Sequence, residues 1–473
     1  MSKLPIRARV ATTIGGAASK VSRLAGRGDG SVIGGVVGLK VAPDLLKQLA
    51  AGRQIVMVTG TNGKTTTTRL VTAAIGSLGQ EVATNAFGAN MESGLVSALS
   101  GQPDAPYAVL EVDERHLPAM IKATHPRVVL LLNLSRDQMD RAAEIWLIAR
   151  RWREAFAASP DVRIIANADD PLIAWAAGAT GLGGSGGPGG PGGLGGSGGP
   201  GGSVGLGGSG GPDLGVGARP ERSFSGANGF PGPGAVGAEP PSNVTWVAAG
   251  QRWFEDSWCC PDCGSHLRRD ELGWRCGECA LSRPSARWVL DGPNVIDAAG
   301  TVRELNLALP GRANRSNAVM ALAVASLFGA DVDQALPELR KVTSVAGRYT
   351  TVQRRGRTVK LLLAKNPAGW LEAFDVLDPA KPPVLLAVNA QGPDGRDTSW
   401  LWDVDYRVLA GRPVLVTGER RIDLAVRLEA DGIPFDLVDD IEAAIDAVPP
   451  GQLDVIANYT AFQHIRGVVG RTV

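Results

Sequence analysis

From residue 54 to residue 175 the chain alternates short strand-like apolar runs with helix-like stretches. The runs are Ile55 to Val58, Tyr107 to Val112, Val128 to Leu132 and Val162 to Asn167, and each ends in a polar loop. This pattern predicts a parallel α/β sheet whose ligand sites lie beyond the carboxyl ends of its strands. The pattern then breaks. Residues 178 to 217 are more than half glycine, with Pro and Ser, and the bias persists to about Ser242. Such a segment has almost nothing to bury and reads as a flexible excursion. Order resumes at Val244 to Trp253, and a long Ala/Leu/Val helix follows Leu309 and runs through Phe328. A further α/β unit is predicted from Val359 to Leu363, Val384 to Val388, Val414 to Thr417, a helix around Ile422 to Leu428, and Val455 to Ala457. The expected organisation is an N-terminal segment (1–50), a nucleotide-type domain (51–347) carrying insertions at 178–242 and 244–290, and a C-terminal α/β domain (348–473).

At 473 residues the chain exceeds one ordinary core, and a net charge of +1 argues against a general nucleic-acid binder. No run of eighteen apolar residues appears and the N-terminus lacks an apolar signal core, so the expected location is cytoplasmic. The first 28 residues carry Lys3, Arg7, Arg9, Lys20, Arg23 and Arg27 without an acid, interleaved with Leu4, Ile6, Val10, Ile14, Val21 and Leu24. Two readings stand: a basic amphipathic segment touching the inner face of an anionic membrane, or a solvated helix packed on a domain edge.

All five cysteines fall between Cys259 and Cys279. Cys260-Pro-Asp-Cys263 and Cys276-Gly-Glu-Cys279, twelve residues apart, have zinc-ribbon spacing, because each knuckle places two thiolates on one ion. A closed Cys₄ set leaves no open position, so the zinc is expected to be structural, with Cys259 spare and His266 a bystander.

The strongest chemical signal follows the first apolar run: Gly60-Thr61-Asn62-Gly63-Lys64-Thr65-Thr66, a phosphate-binding loop. Its glycines admit backbone N–H groups to phosphate oxygens, Lys64 supplies a cation, and the Thr65 or Thr66 hydroxyl can reach Mg²⁺ at a helix N-terminus, which implies ATP. Only Thr61 and Asn62 separate its glycines, where the usual loop has four residues. Glu111, Asp113 and Glu114 end the Tyr107 to Val112 run, within reach of the same site as Mg²⁺ ligands.

The short loop Thr-Gly-Thr-Asn-Gly-Lys-Thr-Thr resembles that of the Mur ligases and folylpolyglutamate synthetases, which activate a carboxylate as an acyl phosphate. The resemblance extends to Glu111 as the Mg²⁺ ligand, to the Asn133 to Arg141 segment, to Asn167-Ala-Asp169-Asp170-Pro171, and to Gly311 to Ala318. In the last of these Asn314 and Asn317 are candidate nucleotide contacts, with helix capping by Asn314 as the plain alternative. Gln138 stands where amino-acid-adding relatives have a metal-binding histidine, and Ala364 to Gly369 lacks their Asp-x-x-His loop. The Asp394 to Asp405, Thr417 to Ala425 and Asn458 to Ala461 segments then resemble the MurT family, synthetase subunits of lipid II isoglutaminyl synthase.

That resemblance implies a Mur ligase-type P-loop domain with an inserted Cys₄ zinc ribbon and a C-terminal α/β domain. It implies ATP-dependent amidation of the D-glutamate α-carboxylate of lipid II in peptidoglycan synthesis. Ammonia would come from a GatD-like glutaminase partner whose Cys/His pair is completed by an aspartate of this chain, Asp397 ahead of Asp394. A charged loop bracketed by buried Trp400 and Trp402 is the plain reading of the same cluster. The alternatives are a stand-alone amino-acid-adding ligase similar to folylpolyglutamate synthetase, and a zinc-ribbon scaffold with a vestigial ATP site.

Overall fold

The computed structural model describes residues 4–24, 32–85, 89–136, 144–179, 243–271, 273–343 and 349–470. The glycine-rich stretch from 180 to 242 and Gln138 lie outside the described residues.

Three helices lead in: α1 (Ile6–Leu24), α2 (Ile33–Val41) and α3 (Leu45–Ala50). The first apolar run is β1 (Gln54–Thr59), followed by α4 (Lys64–Gly76), β2 (Val82–Thr84), α5 (Glu92–Gly101) and β3 (Tyr107–Glu111). Next come α6 (Leu117–Thr124), β4 (Val128–Leu131), α7 (Glu144–Ala157), β5 (Arg163–Asn167) and α8 (Pro171–Ala176). After the excursion lie β6 (Val244–Ala248), the hairpin β7 (Leu267–Asp270) and β8 (Gly273–Cys276), then β9 (Trp288–Asp291), β10 (Asn294–Ile296) and β11 (Val302–Glu304). Helices α9 (Arg312–Leu327) and α10 (Val332–Arg340) complete this part.

The strands form a nine-stranded sheet in the order β11-β10-β9-β6-β5-β4-β1-β3-β2, parallel from β2 to β9. Its apolar runs are continuous because both faces are covered. Ile55 and Met57 of β1 enter one core with α1, α3, α5 and α7, while Val56 and Val58 enter the other with α4, α9 and α10. The chain leaves β1 for the β2 edge, returns through β3, and then crosses to β4 on the other side. The direction of winding therefore reverses beside β1, and a doubly wound sheet opens its ligand crevice at that switch point.

A six-stranded sheet follows, in the order β12-β13-β17-β14-β15-β16. Its elements are β12 (Tyr349–Arg354), β13 (Arg357–Leu363), α11 (Pro367–Phe374), β14 (Val384–Ala387), β15 (Val414–Thr417), α12 (Arg421–Ala430), β16 (Asp436–Leu437), α13 (Ile441–Ala447), β17 (Gly451–Ala457) and α14 (Tyr459–Val469). Only β12 runs antiparallel to its neighbour. Trp370, Phe374, Trp400 and Tyr406 pack edge to face or tilted against one another at 5.8–6.1 Å in its core. Trp402, expected to be buried with Trp400, is 58 % exposed. The two tryptophans sit on one short 3₁₀ turn, Ser399–Asp403, whose three-residue period sends positions two apart in different directions.

The Asn167 to Pro171 turn is a structural joint. The Asp170 carboxylate caps α8 by accepting from Leu172 and Ile173 N–H, and its second oxygen accepts the Leu134 N–H at 2.8 Å. Asp169 accepts the Gly250 N–H and the Arg283 guanidinium, tying the end of β5 to the loop after β6 and to the segment that follows the hairpin. An amide at position 170 would turn a donor toward the Leu134 N–H. Asp170→Asn should therefore cost about 1–3 kcal/mol in urea unfolding, the price of one buried unsatisfied donor.

Candidate active site

The loop after β1 has φ of 138° at Gly60 and 86° at Gly63, backbone that side chains with a Cβ avoid. Space forbids a Cβ at Gly60, where it would stand 2.9 Å from Asn133 O, and at Gly63 it would displace the Asn317 carboxamide, whose Oδ1 would be 2.9 Å away. The tip between them is held from outside. Asn133, just past β4, accepts the Asn62 N–H on Oδ1 at 2.9 Å and donates Nδ2 to Asn62 O at 3.0 Å, while its own carbonyl accepts the Thr61 N–H. Thr61 Oγ1 donates to Ser135 O and accepts the Ser135 N–H, both at 3.0 Å.

Lys64 opens α4 and is almost fully buried. Its ammonium donates to Gly60 O at 2.7 Å, to Thr61 O at 3.2 Å and to Glu114 Oε1 at 3.0 Å. Burial raises the Glu114 carboxyl above the usual range, and the neighbouring Lys64 charge opposes that rise. Thr65 and Thr66 follow in the first turn, where α4's unpaired N–H groups and dipole favour an anion.

Glu111 ends β3 and is 2 % exposed. Asn85, following β2, clamps its backbone on both sides, accepting the Glu111 N–H at 2.7 Å and donating to Glu111 O at 2.8 Å. The Glu111 Oε2 atom is buried without a hydrogen-bond partner among the described residues. An orphaned carboxylate oxygen beside a phosphate loop fits a hard cation such as Mg²⁺. Asp113 instead accepts the Arg115 N–H in a local turn. Asn85 escaped the sequence reading; the available signal was a polar residue at the carboxyl end of a strand only three residues long.

The adenine-side candidates are next to the loop. Asn314, Asn317, Pro310 and Gly311 line a cavity together with Tyr349 and Leu362 from the second sheet. Asn314 does not cap α9: Gly311 occupies that position, and the Asn314 amide donates back to Pro310 O at 2.6 Å. The Asn317 carboxamide is the group packed against Gly63.

From the opposite side, Asn366 caps α11 through Gly369 N–H and accepts a bond from Asn62 Nδ2 at 3.3 Å. Arg252 pairs with Asp375, and Arg136 pairs with Asp256 and, at 3.4 Å, with Asp403. The residues that replace the Asp-x-x-His loop thus face the phosphate loop, with an amide and no acid or imidazole.

Asp394 and Asp397 separate clearly. Asp394 accepts the Thr460 N–H at 3.0 Å, the Thr460 hydroxyl and the Gln391 N–H at 3.3 Å, closing its turn against α14. Asp397 is exposed, and its Oδ1 accepts the Ser399 N–H at 2.8 Å. That bond and the Ser399 side chain hold its carboxyl below the usual range.

The sulfurs of Cys260, Cys263, Cys276 and Cys279 lie within 4.8 Å of one another, with Cys260–Cys279 at 3.5 Å and Cys263–Cys276 at 3.4 Å. Thiolates about 2.3 Å from one tetrahedral ion stand about 3.8 Å apart, so the set fits a single metal; a disulfide would need about 2 Å. Cys259 is exposed, and neither it nor His266 belongs to the cluster. The hairpin is fastened to the large sheet by Trp274, which donates to Ala168 O at 3.0 Å, and by Asp262, which accepts from Trp175 at 3.0 Å.

Residues 58–181 match the family described as Mur ligase middle domain, and residues 363–462 match MurT ligase C-terminal. The chain is 28 % identical to the lipid II isoglutaminyl synthase (glutamine-hydrolyzing) subunit MurT of Streptococcus pneumoniae, covering 96 % of each protein. It is 26 % identical to the Staphylococcus aureus subunit of the same name, covering 87 % of this chain and 85 % of that one. Among solved structures, a pseudomurein peptide ligase type C from Methanothermus fervidus superposes with a TM-score of 0.61 at 17 % identity, over 90 % of this chain and 80 % of that one, a likeness of fold. With a Mur ligase middle domain match at its phosphate loop and a MurT ligase C-terminal match behind it, the chain is similar to MurT subunits over nearly its whole length.

Proposed function

We propose that this chain is the synthetase subunit that amidates the D-glutamate α-carboxylate of lipid II, using ATP and ammonia delivered by a GatD-like glutaminase. The carrying observation is the pairing of a complete phosphate site with a facing loop that offers Asn366 where an acid and a histidine would hold an incoming amino acid. Such a site suits carboxylate activation followed by attack of a small neutral nucleophile. The carboxylate oxygen attacks the γ-phosphorus, the bond to the β-phosphate oxygen breaks, and ADP leaves with that electron pair. Ammonia then adds to the acyl carbon, inorganic phosphate departs with the carbon–oxygen electrons, and a proton is lost to give the amide.

In this reading the Gly60 to Thr66 loop cradles the phosphates, with the N–H groups from Gly63 to Thr66 as donors because Asn133 takes those of Thr61 and Asn62, and Lys64 exchanges Glu114 for a phosphate oxygen. Asn314 and Asn317 line the nucleoside end. Thr65 and Glu111 would hold Mg²⁺, which when bound shields the γ-phosphate from the approaching carboxylate. The Cys260, Cys263, Cys276 and Cys279 set would hold zinc as a staple. Asp397 is the better candidate to orient the partner's histidine, because its carboxylate is exposed and ionised while both Asp394 oxygens are engaged within the fold.

Three outcomes test this. Glu111→Gln should lower kcat about 10²-fold or more with glutamine and with ammonium alike, and should shift the Mg²⁺ dependence of ADP release to higher concentration. Asp397→Asn with the glutaminase present should abolish glutamine-supported amidation and spare ammonium-supported amidation; equal loss with both nitrogen sources would sink the assignment. Metal analysis should find one zinc per chain, and Cys276→Ser should lose it together with several degrees of melting temperature.

A further inference from the structure

Helix α1 is amphipathic in an inverted sense. At about 100° per residue, Ile6, Val10, Ile14 and Val21 fall within an arc of about 80°. That arc faces solvent: Ile6 is 81 % exposed and Val21 65 %. The opposite face carries the small residues Ala8, Ala11, Gly15 and Ser22, all buried. It meets α2 so closely that a Cβ on Gly15 would lie 2.5 Å from Gly34 O. Helix α2 repeats the arrangement, with Gly34, Gly35 and Gly38 inward and Val32, Ile33 and Val36 outward. The four large aliphatic side chains of α1 thus form an outward stripe of their own, and three more are exposed on α2. In an ordinary surface helix the large apolar residues face the core.

The charge on this surface has one sign. Arg7 borders the apolar arc on one side, Arg9 and Lys20 border it on the other, Lys40 lies among the exposed residues of α2, and neither helix contains Asp or Glu. Arg7 also donates to Val41 O at 2.8 Å, fixing the start of α1 against the end of α2. An aliphatic stripe flanked by cations complements the acyl and headgroup boundary of an anionic bilayer, where the aliphatic groups enter and Arg and Lys reach the lipid phosphates. No helix among the described residues is long and apolar enough to cross a membrane. We propose that the α1–α2 hairpin is a membrane-surface docking element, lying flat on anionic lipid through Ile6, Val10, Ile14 and Val21 with Arg9 and Lys20 on headgroup phosphates. This surface stands independently of the reaction proposed above, and its test does not read turnover.

The experiment is sedimentation of the full chain with vesicles of phosphatidylglycerol and phosphatidylcholine and, separately, of phosphatidylcholine alone. The wild type should partition onto the anionic vesicles, less so as salt rises, and weakly onto the neutral ones. Val10→Asp with Ile14→Asp should weaken partition at least tenfold, and Arg9→Gln with Lys20→Gln should remove most of the salt dependence. Both pairs lie on solvent-facing positions and should leave the melting temperature unchanged. A wild type that stays in solution with both vesicles overturns the proposal, as does partition insensitive to both pairs. Sedimentation velocity provides the remaining arm: self-association lost in Val10→Asp/Ile14→Asp, without vesicle binding by the wild type, would assign this face to a second copy of the chain and overturn it equally.

Discussion

The phosphate loop is too short to define its own shape, and much of the site follows from how that deficit is met. With two residues between its glycines, the loop turns through positive φ at both ends and has no slack in the middle. Its tip is set by Asn133 and Ser135, which arrive from β4 and bond Thr61 and Asn62 on backbone and side chain together. Position 133 can do this because β4 is the parallel neighbour of β1, so both strands deliver their carboxyl ends to one level. Because Asn133 takes the Thr61 and Asn62 N–H groups, the donors left for an anion are those at the start of α4.

The same edge gathers the rest of the chemistry. β3 brings Glu111, clamped by Asn85 so that its carboxylate is buried with one oxygen open, and Glu114 holds Lys64 back against the loop. Both acids come from one strand end and differ in their partners: Glu114 pairs with Lys64, while Glu111 keeps a buried oxygen with no hydrogen-bond partner among the described residues. The second sheet meets the crevice through Asn62–Asn366 and Arg252–Asp375.

Around this edge the chain uses small staples in place of a larger core. The Asp169-Asp170 turn joins β4, β5, the β6 loop and the cysteine hairpin, and Trp274 fixes that hairpin by its indole N–H as well as its bulk. At the opposite end of the chain α1 and α2 pack glycine against glycine, which brings their backbones together but leaves their large aliphatic side chains outside. Small-residue packing on the inside is thus the direct cause of the apolar surface outside.

Much was legible in the sequence because it is local. The parallel strands, the phosphate loop, Glu111 and the two Cys-x-x-Cys knuckles are each written in a few consecutive residues, and a strand's carboxyl end predicts where its polar residues point. The difference between Asp394 and Asp397 is not local: Thr460, sixty-six residues further on, engages both oxygens of Asp394, while Asp397 is exposed. Asn85 against Glu111, Asn366 against Asn62, the exposure of Trp402 and the outward face of α1 were decided the same way. Composition and spacing name the groups that carry chemistry; only contacts between distant segments fix which of their hydrogen-bonding atoms and apolar faces are already satisfied, and so which remain for a ligand, a partner or a membrane.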